Sequence, residues 1–182
     1  AKLNLITSTT AVQASKITKL IEQINLQLTT AKKVVVLVGE LVERYHLQNL
    51  VQQFLQNSGA AYVVSWGAKG AVDESHSQFA GMYAGCFSAQ EVQDYVENAD
   101  CVLALGWLYC EINSGTFSTK LATNKLISLN LDSGAINGED YAEIPFAALV
   151  DSLCQSSIKI APYPRSFDAH YGVKGEQLSS QI

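Results

Sequence analysis

From Ser15 onward the apolar positions recur at helical spacing, with Ile17, Leu20, Ile21, Ile24 and Leu28 on one face. The pattern then changes. Val34 to Val38 is an unbroken, mostly β-branched run ending at Gly39, which suits a strand covered on both faces, as in a parallel sheet. Leu47, Leu50, Val51, Phe54 and Leu55 return to the helical period, and Asn57-Ser-Gly59 supplies a C-terminal stop. Ala60 to Ser65 predicts a second strand. A glycine-rich connection over 67–85 leads to a third helix, opened by Ser88 and Glu91 at capping-box spacing and carrying Val92, Tyr95, Val96 and Ala99 on its buried stripe. Cys101 to Leu105 and Leu126 to Leu131 predict two more strands. Pro145 stands at a first helical position, and Phe146, Leu149, Val150 and Leu153 continue a final helix.

Short β-rich runs alternating with helical segments predict a single α/β domain, a sheet with helices on both faces and right-handed crossovers. The pattern stops near Ser156. Residues 157–182 hold two of the three prolines, Pro162 and Pro164, and read as a linker or docking tail without a core of its own. Position 1 is Ala rather than Met, which reads as a processed protein or a piece of a longer one.

Composition narrows the function classes. A chain of 182 residues with 48% hydrophobic and 16% charged residues can bury a real core. Its net charge of −5 argues against a nucleic-acid partner, and no run reaches the ~18 apolar residues of a membrane span. Four cysteines (Cys86, Cys101, Cys110 and Cys154) contain no C-x-x-C, and His46, His76 and His170 lie far apart, so neither zinc nor a disulfide scaffold is indicated. A reduced, cytoplasmic compartment is the expectation. Charge is uneven: Ala71 to Ser118 contains seven carboxylates and no Lys or Arg.

Ligands of open parallel sheets bind beyond the carboxyl ends of the strands. Those ends give a candidate crevice made of Gly39, Gly67, Lys69, Gly70, Gly106, Asn113 and Asp132, although glycines there also serve tight turns. No dinucleotide G-x-G-x-x-G or Walker pattern follows the first strand; Gly39 is followed by Glu40, and Glu43 is near, both of the wrong sign for a pyrophosphate. Asp73, Ser75 and His76 lie too close in sequence to form a relay assembled from distant segments. Cys101 and Cys154 read as core fillers, and Cys110 beside Glu111 lacks an electropositive setting. Trp66 and Trp107, both at strand ends, read as core or interface residues. No catalytic residue is assigned.

Several stretches carry a resemblance. Trp66-Gly-Ala-Lys-Gly-Ala-Val-Asp-Glu-Ser-His76, Gly81 to Gly85, Glu97 to Gly106 and Glu111-Ile-Asn-Ser-Gly-Thr-Phe-Ser118 form an ordered series. The series resembles the central domain of thiamine-diphosphate-dependent 2-keto acid decarboxylases, the pyruvate and indolepyruvate decarboxylase group, over about residues 12–156. Ser77 departs from it, standing where a proline commonly follows the histidine. The resemblance implies a Rossmann-like parallel sheet of about six strands. It also implies that residues 1–156 are a non-catalytic domain with a structural, interface or regulatory role. In that group the flanking domains supply the catalytic glutamate and a G-D-G…N motif that holds Mg²⁺ and thiamine diphosphate. This chain contains no G-D-G, so it is expected to bind neither; its partners would be those flanking domains, in a parent that is a homodimer or homotetramer. Flavin-binding relatives such as acetohydroxyacid synthases carry arginines after the strand matching Cys101 to Leu105. The loop here, Gly106 to Asn113, has none, and the regulatory cysteine of some substrate-activated members has no counterpart in Glu40 to Glu43. The alternative is a small-molecule module with an adenine-nucleotide or coenzyme A site at the strand ends.

Overall fold

A computed structural model describes residues 11–169. His170, the rest of the expected tail and residues 1–10 lie outside the described residues. The chain runs α1 (Ala11–Thr30), β1 (Val34–Val38), α2 (Leu41–Arg44), α3 (Gln48–Ser58), β2 (Ala61–Val64), β3 (Phe79–Met82), α4 (Gln90–Glu97), β4 (Cys101–Leu105), β5 (Leu126–Leu129), β6 (Ser133–Ile136), β7 (Glu139–Ala142) and α5 (Phe146–Gln155). The strands form one seven-stranded sheet in the order β3-β2-β1-β4-β5-β6-β7.

The first five of these strands are mutually parallel, and β6 and β7 add an antiparallel hairpin at one edge. Every residue of β1 and β4 is buried, as the unbroken apolar runs predict for central strands. Alternate side chains serve two cores. Val34, Val36, Val38, Leu103 and Leu105 face α1, α3 and α5, whereas Val35, Leu37, Val102 and Ala104 face α4.

Three strands lie outside the sequence expectation. β3 falls inside the glycine-rich connection, and β6 and β7 follow β5 directly, so the sheet has seven strands rather than about six and is not wholly parallel. The hairpin turns at Asn137 and Gly138, with φ of 56° and 86°, the left-handed pair that a tight two-residue turn requires.

Helix termini are partly as expected. Gly59 closes α3 in the left-handed conformation, its N–H reaching the Leu55 carbonyl at 3.1 Å. The expected capping box does not form: Ala89 is the N-cap of α4, and the Ser88 hydroxyl instead accepts the Ala84 N–H at 2.8 Å. Pro145 stands one position earlier than expected, as the N-cap of α5.

The described part of the tail returns to the domain. Ile158 and Ile160 are buried in the α1–α3–α5 core, and the Ile160 N–H donates to the Ser58 carbonyl at 2.8 Å. Tyr163 stacks on Tyr95 of α4 at 4.1 Å between ring centroids. Residues 157–169 therefore add apolar burial to both faces of the sheet.

Candidate functional site

At the carboxyl ends of the central strands, backbone meets backbone. A Cβ on Gly39 would lie 2.3 Å from the Gly106 carbonyl oxygen and from Trp107 Cα. Gly106, at φ 66°, leaves 2.6 Å between a Cβ and that of Leu41, while the Leu41 N–H donates to its carbonyl at 3.1 Å. Both glycines are needed for close approach, and the turns after β1 and β4 are in contact rather than parted by a cleft.

The space beside them is filled by Glu40. A Cβ on Gly67 would lie 2.5 Å from Glu40 Cγ, so the side chain runs directly over that glycine. The carboxylate accepts from Asn113 Nδ2 and, at 3.3 Å, from the Leu108 N–H. Asn113 is only 3% exposed and also donates to the Leu108 carbonyl at 2.9 Å. Glu40 thus satisfies buried donors, which is the ordinary requirement for polar groups inside a fold. Sequence reasoning gave Glu40 only its sign; its acceptor role depends on Asn113, far along the chain.

Of the seven expected crevice residues, Gly39, Gly67, Gly106 and Asn113 come together around this carboxylate. Lys69 and Gly70 are engaged elsewhere: Lys69 Nζ lies 2.7 Å from Glu74 Oε2, and the Gly70 N–H donates to Glu74 Oε1 at 2.7 Å. Asp132 is exposed in the β5–β6 turn, its carbonyl accepting the Ile144 N–H.

The remaining polar groups form local turns. Asp73 Oδ1 accepts from both the N–H and the hydroxyl of Ser75, at 2.8 and 2.6 Å, and these bonds hold its carboxyl below the ordinary range. His76 Nδ1 accepts the Gln78 N–H, so serine and histidine have separate partners and no relay exists. Burial pushes the Cys101 and Cys154 thiols up to about 12, in keeping with core fillers; Cys86 and Cys110 are exposed. Among the described residues no group of three or more His, Cys, Asp or Glu could hold a metal ion, and no helix is long and apolar enough to cross a membrane.

The two tryptophans separate. Trp107 is buried, whereas Trp66 is exposed. The Trp107 ring meets Tyr109 edge-on at 5.5 Å, and Tyr109 meets Phe117 at 5.4 Å, so the loop after β4 leads from core to solvent through three aromatic rings. An open depression of about 940 Å³ lies elsewhere, where the tail crosses α4; Lys33, Tyr95, Tyr163, Arg165 and Phe167 line it together with Glu91, Asp94 and Asp168.

Residues 21–156 match the family described as thiamine pyrophosphate enzyme, central domain. Over 146 residues, 80% of this chain, it is 28% identical to a pyruvate decarboxylase of Hanseniaspora uvarum. Over 149 residues it is 25% identical to pyruvate decarboxylase isozyme 3 of Saccharomyces cerevisiae. A pyruvate decarboxylase of Candida albicans is 30% identical over 115 residues, 63% of this chain and 20% of that protein. The chain spans about a quarter of the first two relatives, 26% of each. With a mostly parallel seven-stranded sheet beneath a match of that extent, the chain belongs to the central-domain family of thiamine pyrophosphate enzymes.

Proposed function

We propose that this chain is the non-catalytic central domain of a thiamine-diphosphate-dependent 2-keto acid decarboxylase. Its work is to space the catalytic domains and to contribute to their interfaces. Thiamine diphosphate and Mg²⁺ belong to the flanking domains of the parent, which is a cytoplasmic homo-oligomer. The observation that carries the non-catalytic reading is the Glu40 carboxylate bound by Asn113 and Leu108 at the strand ends. A diphosphate or dinucleotide placed there would meet a negative group where the fold usually offers bare amides. At an effective dielectric near 20, two like unit charges at ~4 Å repel by about 4 kcal/mol before screening, which offsets what about two amide hydrogen bonds to a charged group return. The residues at the strand ends therefore do not fit such a group, and no catalytic step is drawn through them.

Two measurements test the reading. The chain supplied with thiamine diphosphate and Mg²⁺ should turn over no 2-keto acid; turnover above a heat-denatured control would overturn the assignment. Calorimetric titration with FAD, NAD, ADP and coenzyme A should give no tight binding. A dissociation constant at or below roughly 10 µM, about −7 kcal/mol, would favour the nucleotide-binding alternative.

A further inference from the structure

Seven large apolar side chains are exposed among the described residues. Six of them, Trp66, Phe87, Tyr109, Ile112, Phe117 and Leu131, lie in loops that leave the carboxyl ends of β2, β3, β4 and β5. The loops after β3 and β4 are joined to one another. The Cys86 N–H donates to the Ser118 hydroxyl at 2.8 Å, and Cys86 Sγ lies 3.3 Å from the Gly115 carbonyl, seating the Phe87 loop against the Phe117 turn.

That turn is also strained. Gly115, Thr116 and Phe117 are consecutively left-handed, at φ 56°, 54° and 62°. Two of the three carry a Cβ, and the conformation is held by the Phe117 N–H on the Ser114 hydroxyl and the Ser118 N–H on the Ser114 carbonyl. The result is a fixed backbone presenting a phenyl ring that is 57% exposed. Exposed apolar side chains held on preorganised loops at one end of a sheet are a feature of interaction sites.

We infer that this aromatic shelf is the docking surface for the rest of a longer parent polypeptide, met through an apolar face rimmed by Lys or Arg; the inference rests on the central-domain assignment proposed above. Three observations select that occupant. The chain covers only 26% of its first two relatives, so those proteins carry much additional chain to cover such a face. Glu111 is exposed between Tyr109 and Ile112, and no Lys or Arg occurs from Ala71 to Ser118, the stretch that carries Phe87, Tyr109, Ile112 and Phe117, while Lys69 near Trp66 is paired with Glu74. Two copies of this face would set carboxylate against carboxylate, whereas a cationic rim complements it. The described tail does not take the place either: Tyr163 lies at the opposite end of the sheet, under Lys33, which precedes β1.

The test is hydroxyl-radical footprinting of two proteins. One is the full product of the reading frame that contains this segment; the other is the 182-residue chain, once a cooperative thermal transition shows that it is folded. Trp66, Phe87, Tyr109 and Phe117 should label at least fivefold more slowly in the full product, and Glu111→Lys should reduce that protection at least twofold. Labelling within twofold in the two proteins would overturn the inference. So would protection in the 182-residue chain that rises with its concentration, since the occupant would then be a second copy, or protection indifferent to Glu111→Lys. The proposed decarboxylase parentage fails by a different result, a reading frame without a G-D-G…N segment, which is read from its sequence before any labelling.

Discussion

Between β1 and β4 the chain turns so tightly that Gly39 touches the backbone of Gly106 and Trp107, and Glu40, Asn113 and Leu108 satisfy one another beside them. A few residues further along the same loop, Tyr109, Ile112 and Phe117 stand in solvent on a strained backbone. Both regions occupy the end of the sheet where ligands of this architecture bind. One has consumed its polar groups internally; the other has left its apolar groups unspent. A ligand site would show the reverse, free polar groups in an apolar recess. The contrast is between polar groups already satisfied within the domain and apolar groups left in solvent, and it supports the interface role proposed above.

The largest effect should come from prising the closed region apart. Gly39→Ala places a methyl 2.3 Å from three backbone atoms, none able to swing aside as a side chain would. We expect a loss of about 3 kcal/mol or more, or failure to fold, measured by urea denaturation. A variant within about 1 kcal/mol of the parent chain would mean that the two turns are free to separate.

The interior behind that region should be visible in alkali. Burial, with Asp100 adding to it, raises the Cys101 thiol from 9.0 to about 12. The folded chain therefore keeps a proton that the unfolded chain gives up. The corresponding stability is fully present below about pH 9 and is lost as pH rises from 9 towards 12. By pH 10.5 the loss from this thiol should be about 2 kcal/mol, and Cys101→Ala should flatten the stability–pH curve by about one proton. An unchanged slope in that variant would remove Cys101 as its source. Cys86 and Cys110, exposed in the shelf loops, should meanwhile react with a thiol reagent in the native chain well before Cys101 does.

Much of this contrast was hidden from the sequence, for physical reasons. β1 and β4 are legible because strands buried on both faces carry apolar side chains throughout, as in Val34 to Val38. β3 is not, because Phe79-Ala-Gly-Met82 is short and interrupted by glycine. β6 and β7 form an edge hairpin that buries little, so Glu139-Asp-Tyr-Ala142 shows no apolar alternation; the Asn137-Gly138 turn was its one usable signal. Ser88 and Glu91 have the spacing of a capping box, but the loop from β3 claims the serine hydroxyl. At the site, the glycines were readable as points of close approach. The Glu40–Asn113 pair was not, since it joins residues 73 apart and neither local pattern specifies the other. Nothing in a local pattern discloses that Phe117 has a positive φ.

A smaller effect is expected from emptying the polar cluster. Glu40→Ala removes the carboxylate that accepts from the Leu108 N–H and from buried Asn113. Asn113 keeps the Leu108 carbonyl as a partner, so the penalty should be that of one or two unmet donors, about 1–2 kcal/mol in chemical denaturation. No measurable loss would mean that water replaces the carboxylate freely and that the region is open after all.

The smallest effect should fall on the shelf. Phe117 combines a φ of 62° with a ring that is 57% exposed, so its backbone costs energy while its side chain buries little. Asparagine enters the left-handed region more readily than phenylalanine. Phe117→Asn therefore relieves strain and gives up the edge contact with Tyr109, two small terms of opposite sign. The net change in stability should stay within about 0.5 kcal/mol, as for exposed positions generally. The backbone bonds from Ser114 do not require the ring, so the turn should keep its form. A loss above about 1.5 kcal/mol would show that the ring is a structural prop of this domain, and the difference between the closed and the open region would disappear.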